Sequence, residues 1–149
     1  MKAVLQRVLS ANLKVDGKLI SEIKKGLVIF LGVGINDTDD DIIKLGNKIS
    51  KLRIFEDENG KMNLSLSDVD GEILLVSQFT LYADCRHGNR PSFTNAQIPV
   101  LANEKYLKMI DFLREKGLKV KTGVFGADMK IDVLNDGPVT IILNSSELN

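Results

Sequence analysis

The residues Ile73-Leu74-Leu75-Val76 form an unbroken apolar run, followed at once by Ser77-Gln78-Phe79-Thr80-Leu81-Tyr82. An apolar run without alternation reads as a strand covered on both faces, which demands packing layers on either side of a sheet. Ser77, Gln78 and Thr80 then place two hydroxyls and an amide where further Val or Leu would continue the core. An unpartnered buried polar group costs about 1–3 kcal/mol, so this cluster requires an explanation. Two explanations stay open. Either the strand reaches the surface here, with Thr80 present for its β-propensity, or it forms the wall of a site and turns polar groups toward a ligand.

The chain's 149 residues suit one domain with a sizeable core. Its 20 basic and 20 acidic residues cancel, so contact with nucleic acid would have to come from a local patch. Cys85 is the sole cysteine, which rules out an internal disulfide and a Cys-rich metal site. His87 is the sole histidine and argues against a His-based metal centre or triad. No metal or cofactor is expected. Met1 to Arg7 mixes charges among apolar residues and has no signal-peptide core. The longest apolar runs are too short to span a bilayer, so no membrane partner and a cytoplasmic location are expected.

Ala3–Leu9 and Ala11–Val15 read as two strands, with Asp16-Gly17 turning the chain into a partner strand at Lys18–Ile23. Leu27–Leu31 reads as a buried strand ending in Gly32-Val33-Gly34, a Gly-x-Gly that lacks the fuller dinucleotide fingerprint. Asp37 is a candidate cap for a helix carrying Ile42, Ile43, Leu45, Ile49 and Leu52 on one face. Asp39, Asp40 and Asp41 suit the positive end of that helix better than they suit a metal cluster. Asn63–Asp70 reads as loop.

Asp84 to Phe93 is a polar, basic loop containing Gly and Pro. Arg86 and Arg90 there are candidate phosphate contacts, against the alternative of a solvated loop. Cys85 and His87, two residues apart, suggest a thiol nucleophile only weakly, because a loop rarely positions such a pair. Pro99 and Gly117 bracket a second helix with Leu101, Tyr106, Leu107, Ile110 and Leu113 as its stripe. Strands at Leu118–Val124 and Met129–Leu134 flank Phe125–Met129. Asn135-Asp136-Gly137-Pro138 then reads by composition as a plain turn before Ile141–Leu143. Two helices among some eight short strands imply a mixed α/β domain.

Taken together, Ser77-Gln78-Phe79-Thr80 and Asn135-Asp136-Gly137-Pro138-Val139-Thr140 resemble the two signature motifs of the D-aminoacyl-tRNA deacylase family. The likeness extends to Gln6-Arg7-Val8, Val15-Asp16-Gly17, Gly32-Val33, Gly88–Phe93 and Gly123–Met129, and so covers nearly the whole chain. It implies a largely antiparallel, barrel-like single domain in β/β/α layers, with two main helices packed on one side. It implies hydrolysis of the ester between a D-amino acid and the 3′-terminal adenosine of tRNA, a proofreading step in translation. It implies a homodimer with each active site at the subunit interface. Gly137-Pro138, as a cis peptide, would be donated across that interface, its carbonyls excluding L-amino acids while D-amino acids or glycine fit. Ser77, Gln78, Phe79 and Thr80 would shape and polarise the pocket, their main-chain N–H groups serving as candidate oxyanion donors. Phe125, Gly126 and Met129 would line it near the adenosine. Thr80 also matches a residue once favoured as nucleophile, but no adjacent base is visible. The rivals are a non-catalytic RNA-binding module, which the neutral charge disfavours, and a Thr-nucleophile hydrolase of small molecules.

Overall fold

The computed structural model describes residues 1–149. Its longest early strand, β1 (Lys2–Val15), runs without a break where two strands were expected. On one side β1 pairs antiparallel with both β2 (Lys18–Ile23) and β3 (Gly26–Gly32). On the other it pairs along its length with β8 (Lys130–Asn144). The sheet continues from β3 to β6 (Glu72–Ser77) and then β7 (Lys119–Thr122), both joined in parallel. The result is a mixed, nearly closed, barrel-like sheet with two helices, α1 (Asp39–Lys51) and α2 (Pro99–Glu115). A small hairpin of β4 (Phe55–Glu56) and β5 (Met62–Leu64) stands apart, its second strand overlapping the start of the stretch that reads as loop.

The unbroken apolar runs have the expected cause. Leu27, Ile29, Leu31, Ile73 and Leu75 face one core, which α1 and α2 complete with Leu45, Ile49, Tyr106, Met109 and Leu113. Val28, Leu74 and Val76 face the barrel interior with Val8, Leu13 and Ile23. Each such side chain contributes about 1.5–3 kcal/mol on full burial. Strands β3 and β6 are therefore the shared wall of two cores.

Strand β1 changes cores partway. Ala3 and Leu5 belong to the helix side, whereas Ala11 and Leu13 belong to the barrel interior. The change coincides with register shifts against β8 between Gln6 and Ser10. There Gln6 pairs with Thr140 and Val8 with Asn135, so Arg7 alone stands opposite Asp136–Val139. The segment read as a turn between two strands is thus a wide bulge within one strand. Side-chain alternation must slip for a strand to serve two cores, and a bulge is how a ladder absorbs the slip.

Both helices are capped, though not quite as expected. Thr38, rather than Asp37, is the α1 cap, with its N–H donating to Asp41 Oδ2 at 2.7 Å. The three first-turn aspartates lie where the helix dipole favours them. Helix α2 starts with Pro99 and ends on Gly117 at φ 82°. The Gly117 and Leu118 N–H groups return to the Arg114 and Leu113 carbonyls, the paired bonds of a Schellman stop.

Candidate functional site

Strand β6 ends at Ser77, and Phe79–Tyr82 tighten into a 3-10 turn, so the polar cluster lies at the strand's exit rather than along it. Ser77 and Gln78 are half-buried, while Phe79 and Thr80 are exposed. The Gln78 N–H donates to the Leu31 carbonyl at 2.8 Å, so it is committed to the sheet edge and is not free to act as an oxyanion donor. Phe79 and Thr80, at the start of the turn, remain candidate main-chain donors. The Gln78 amide donates to Thr80 Oγ1 at 2.6 Å, and no carboxylate or imidazole is hydrogen-bonded to that hydroxyl.

Gly32 and Gly34 explain how the turn docks. A Cβ on Gly32 would lie 3.1 Å from the Gln78 carbonyl oxygen, and one on Gly34 would lie 2.6 Å from the Tyr82 ring. Bare backbone at these two positions lets the 3-10 turn lie against the end of β3. The Gly-x-Gly therefore has a packing reason. Asp37 secures the arrangement, because its carboxylate accepts from Gly34 N–H at 2.5 Å, Tyr82 O–H at 3.0 Å and the Met1 ammonium at 2.7 Å. Burial, joined by the Asp37 charge, pushes the Tyr82 hydroxyl well above the usual tyrosine range. Tyr82 thus stays a protonated donor.

A cavity of about 580 Å³ opens beside this turn. Its wall brings together Ser77, Gln78 and Phe79 with Phe125, Gly126 and Met129. The volume falls within the roughly 300–1,000 Å³ of small-molecule sites. Phe125 also packs against Tyr106 of α2, with ring centroids 6.0 Å apart, and the Tyr106 hydroxyl donates to the Leu75 carbonyl at 2.7 Å. This contact ties the Phe125 loop to the strand that carries Ser77. Phe93, Gln97 and Pro99 also line the cavity. No chemical pattern in the sequence marks these three as site residues, although Phe93 ends the Arg-containing loop. Thr80 is not part of the wall.

Gly137 and Pro138 do not line this cavity within one chain. They are exposed in the β1–β8 bulge, joined by a cis peptide bond, with Gly137 at φ 131°. Buried Arg7 holds the bulge from behind. Its Nε donates to the Asp136 carbonyl at 3.0 Å and its Nη1 to the Ile54 carbonyl at 2.8 Å. In the sequence Arg7 stands out only as part of the tripeptide Gln6-Arg7-Val8. A charged residue in an inward-facing register was the signal that it had a specific partner.

Arg86 is fastened to Asp84 by Nε and Nη2, at 2.9 and 2.6 Å. These hydrogen bonds hold the Asp84 carboxyl down to about 2. Arg86 is thus partly neutralised, whereas exposed Arg90 has no carboxylate partner. Cys85 and His87 are exposed in the same loop and form no hydrogen-bonded pair. No three His, Cys, Asp or Glu side chains converge as a metal site.

These features define an α/β protein with a barrel-like mixed sheet and a largely apolar cavity at the exit of a central strand. The sequence profile of D-Tyr-tRNA(Tyr) deacylases matches residues 4–144. A D-aminoacyl-tRNA deacylase of Thermotoga petrophila is 56% identical over 99% of both chains. One from Aquifex aeolicus is 55% identical, covering 99% of this chain and 100% of its own. A solved structure described as c-Myc DNA Unwinding Element Binding Protein superposes with TM-score 0.91 at 42% identity, over 97% of this chain and 98% of its own. Another, described as a probable eukaryotic D-amino acid tRNA deacylase, shares the fold at TM-score 0.82 and 16% identity, over 95% and 97%. This chain belongs to the D-Tyr-tRNA(Tyr) deacylase family. Its members are hydrolases of aminoacyl-tRNA ester bonds.

Proposed function

We propose that this chain hydrolyses the ester between a D-amino acid and the 3′-terminal adenosine of tRNA, in the cytoplasm and as a homodimer. The observation that carries the reading is the meeting of Ser77, Gln78 and Phe79 with Phe125, Gly126 and Met129 around one cavity. The aminoacyl ester lies against the Ser77–Thr80 end, and the adenosine against Phe125, Gly126 and Met129. Phe79 and Thr80 N–H groups meet the oxyanion that develops on the ester carbonyl, a stabilisation that needs no covalent intermediate. An aminoacyl ester is already activated, so a positioned water, helped by the adenosine 2′-OH, suffices for attack.

Thr80 acts here through its main-chain N–H at the edge of the cavity, not through its hydroxyl. Its hydroxyl accepts from Gln78, which leaves it without the base a nucleophile requires. Chirality is read by Gly137 and Pro138 of the second subunit, whose carbonyls occupy the space an L-side chain would need. Their exposure and their distance from the cavity within one chain support a role across an interface. Glycine, without a side chain, passes the same filter.

The test is release of amino acid from D-tyrosyl-tRNA by the wild type and Thr80→Ala. Thr80→Ala is expected to keep most of the activity; loss of nearly all of it would make Thr80 the nucleophile. A second reading, nucleic-acid binding without hydrolysis, takes support from the name of the 42% identical solved structure. Binding of tRNA with no ester cleavage would favour that reading.

A further inference from the structure

Phe79 and Phe93 meet edge to face at the cavity rim, with centroids 5.0 Å apart and planes inclined by 72°. They remain 55% and 36% exposed. Two aromatic rings held together in water at the lip of a cavity leave apolar area uncovered where a ligand would lie. Phe93 is not a loose side chain. Asp84 and Ser92 exchange both main-chain hydrogen bonds, at 2.7 and 2.9 Å, and so close the loop immediately before it. That closed loop carries exposed Arg90, with Arg86 already paired to Asp84.

We infer that Phe93, backed by Phe79 and with Arg90 three residues earlier on the same loop, forms a second nucleotide subsite, for the unpaired nucleotide that precedes the terminal adenosine of the tRNA. The inference rests on the reading that the cavity holds the aminoacyl-adenosine. A base offers an aromatic face that stacks on phenylalanine without regard to its sequence, and a guanidinium on the adjoining loop suits the connecting phosphate. Continuity with the cavity favours this occupant: Phe79 and Phe93 both line it, and exposed Arg90, which has no carboxylate partner, lies on the loop that leads into Phe93.

The experiment compares D-tyrosyl-tRNA with 3′-O-D-tyrosyl-adenosine, which lacks the neighbouring nucleotide. The readout is the ratio of the two kcat/KM values. Phe93→Leu is expected to lower this ratio about tenfold, the effect of losing one base stack. Phe93→Tyr, which keeps the ring, is expected to restore it. Arg90→Gln is expected to flatten the dependence of log KM for the tRNA on log salt by about 0.7, the contribution of one single-strand phosphate contact. A wild-type ratio in Phe93→Leu overturns the inference and leaves the deacylase reading standing. So does conversion of a dimer to monomers by Phe93→Leu, which would make the ring pair subunit packing. Failure of the wild type to cleave either ester overturns the deacylase reading and this subsite with it.

Discussion

The Tyr82 hydroxyl donates to Asp37 Oδ2 at 3.0 Å and so fastens the 3-10 turn after Ser77 to the start of α1. Hydrogen bonds to charged acceptors contribute about 1.5–3 kcal/mol, toward the lower end for a half-buried donor. Tyr82→Phe is expected to lower stability by about 1.5 kcal/mol, measured by urea denaturation. It keeps the ring that packs on Gly34 but frees the turn, so kcat on D-tyrosyl-tRNA is expected to fall while far-UV circular dichroism holds. An unchanged kcat would mean that the turn is held by packing alone.

Gly26→Ala and Gly34→Ala should differ in kind. A Cβ on Gly26 would coincide with the Glu72 carbonyl of the neighbouring parallel strand, where only backbone could yield. Overpacking of this kind costs about 1–3 kcal/mol and here more, so Gly26→Ala is expected to be poorly folded. Gly34→Ala pushes on the Tyr82 ring, a side chain, and is expected to fold with a displaced turn and reduced activity. Thermal melts beside ester hydrolysis assays separate the two outcomes.

Arg7 supplies two hydrogen bonds to carbonyls on separate segments, Ile54 and Asp136. Lysine carries one compact ammonium and cannot reproduce the fork. Each carbonyl left unsatisfied costs about 1–3 kcal/mol, so Arg7→Lys is expected to lose roughly 2–4 kcal/mol in denaturant titration. Within the folded fraction, the Gly137-Pro138 bulge loses its rear support, and the ratio of D- to L-ester cleavage is expected to fall.

The sheet's central strands were legible because Leu27–Leu31 and Ile73–Val76 are apolar at consecutive positions, which only a wall between two cores explains. The helices were legible from periodicity, Pro99 and Gly117. The reading failed where one strand serves two environments. Ala3–Val15 looked like two strands because its apolar phase slips, and that slip is a bulge rather than a break. Asn135–Pro138 has turn composition for the same reason: it bulges away from the ladder while Arg7 faces it. Asp37 looked like a cap because carboxylates favour helix starts, but its oxygens are occupied by Met1, Gly34 and Tyr82, which are remote or locally unreadable in sequence. The convergence of Phe93 and Gln97 with Ser77 depends on tertiary packing that no local pattern carries.

Asp41 gives the fold a defined acid sensitivity. Burial acts to raise its pKa, but hydrogen bonds from Ser145 and Thr38 and the Met1 ammonium outweigh it and hold the group at about 2, below the ordinary 3.8. A pKa lower in the folded state means stabilisation that is complete above about pH 4 and lost as pH falls through about 2. The melting temperature is therefore expected to decline between those values. Asp41→Asn, already lacking the charge, should show a shallower decline over the same window. Parallel declines would assign the acid sensitivity to other carboxylates.

Side-by-side hydrolysis of D-tyrosyl-tRNA and L-tyrosyl-tRNA, with a metal chelator present, tests the central claim most directly. The account predicts rapid release from the D-ester and an L-ester that decays no faster than in buffer. Equal cleavage of both would contradict the chirality filter assigned to Gly137 and Pro138, and cleavage of neither, with or without chelator, would contradict the deacylase reading itself.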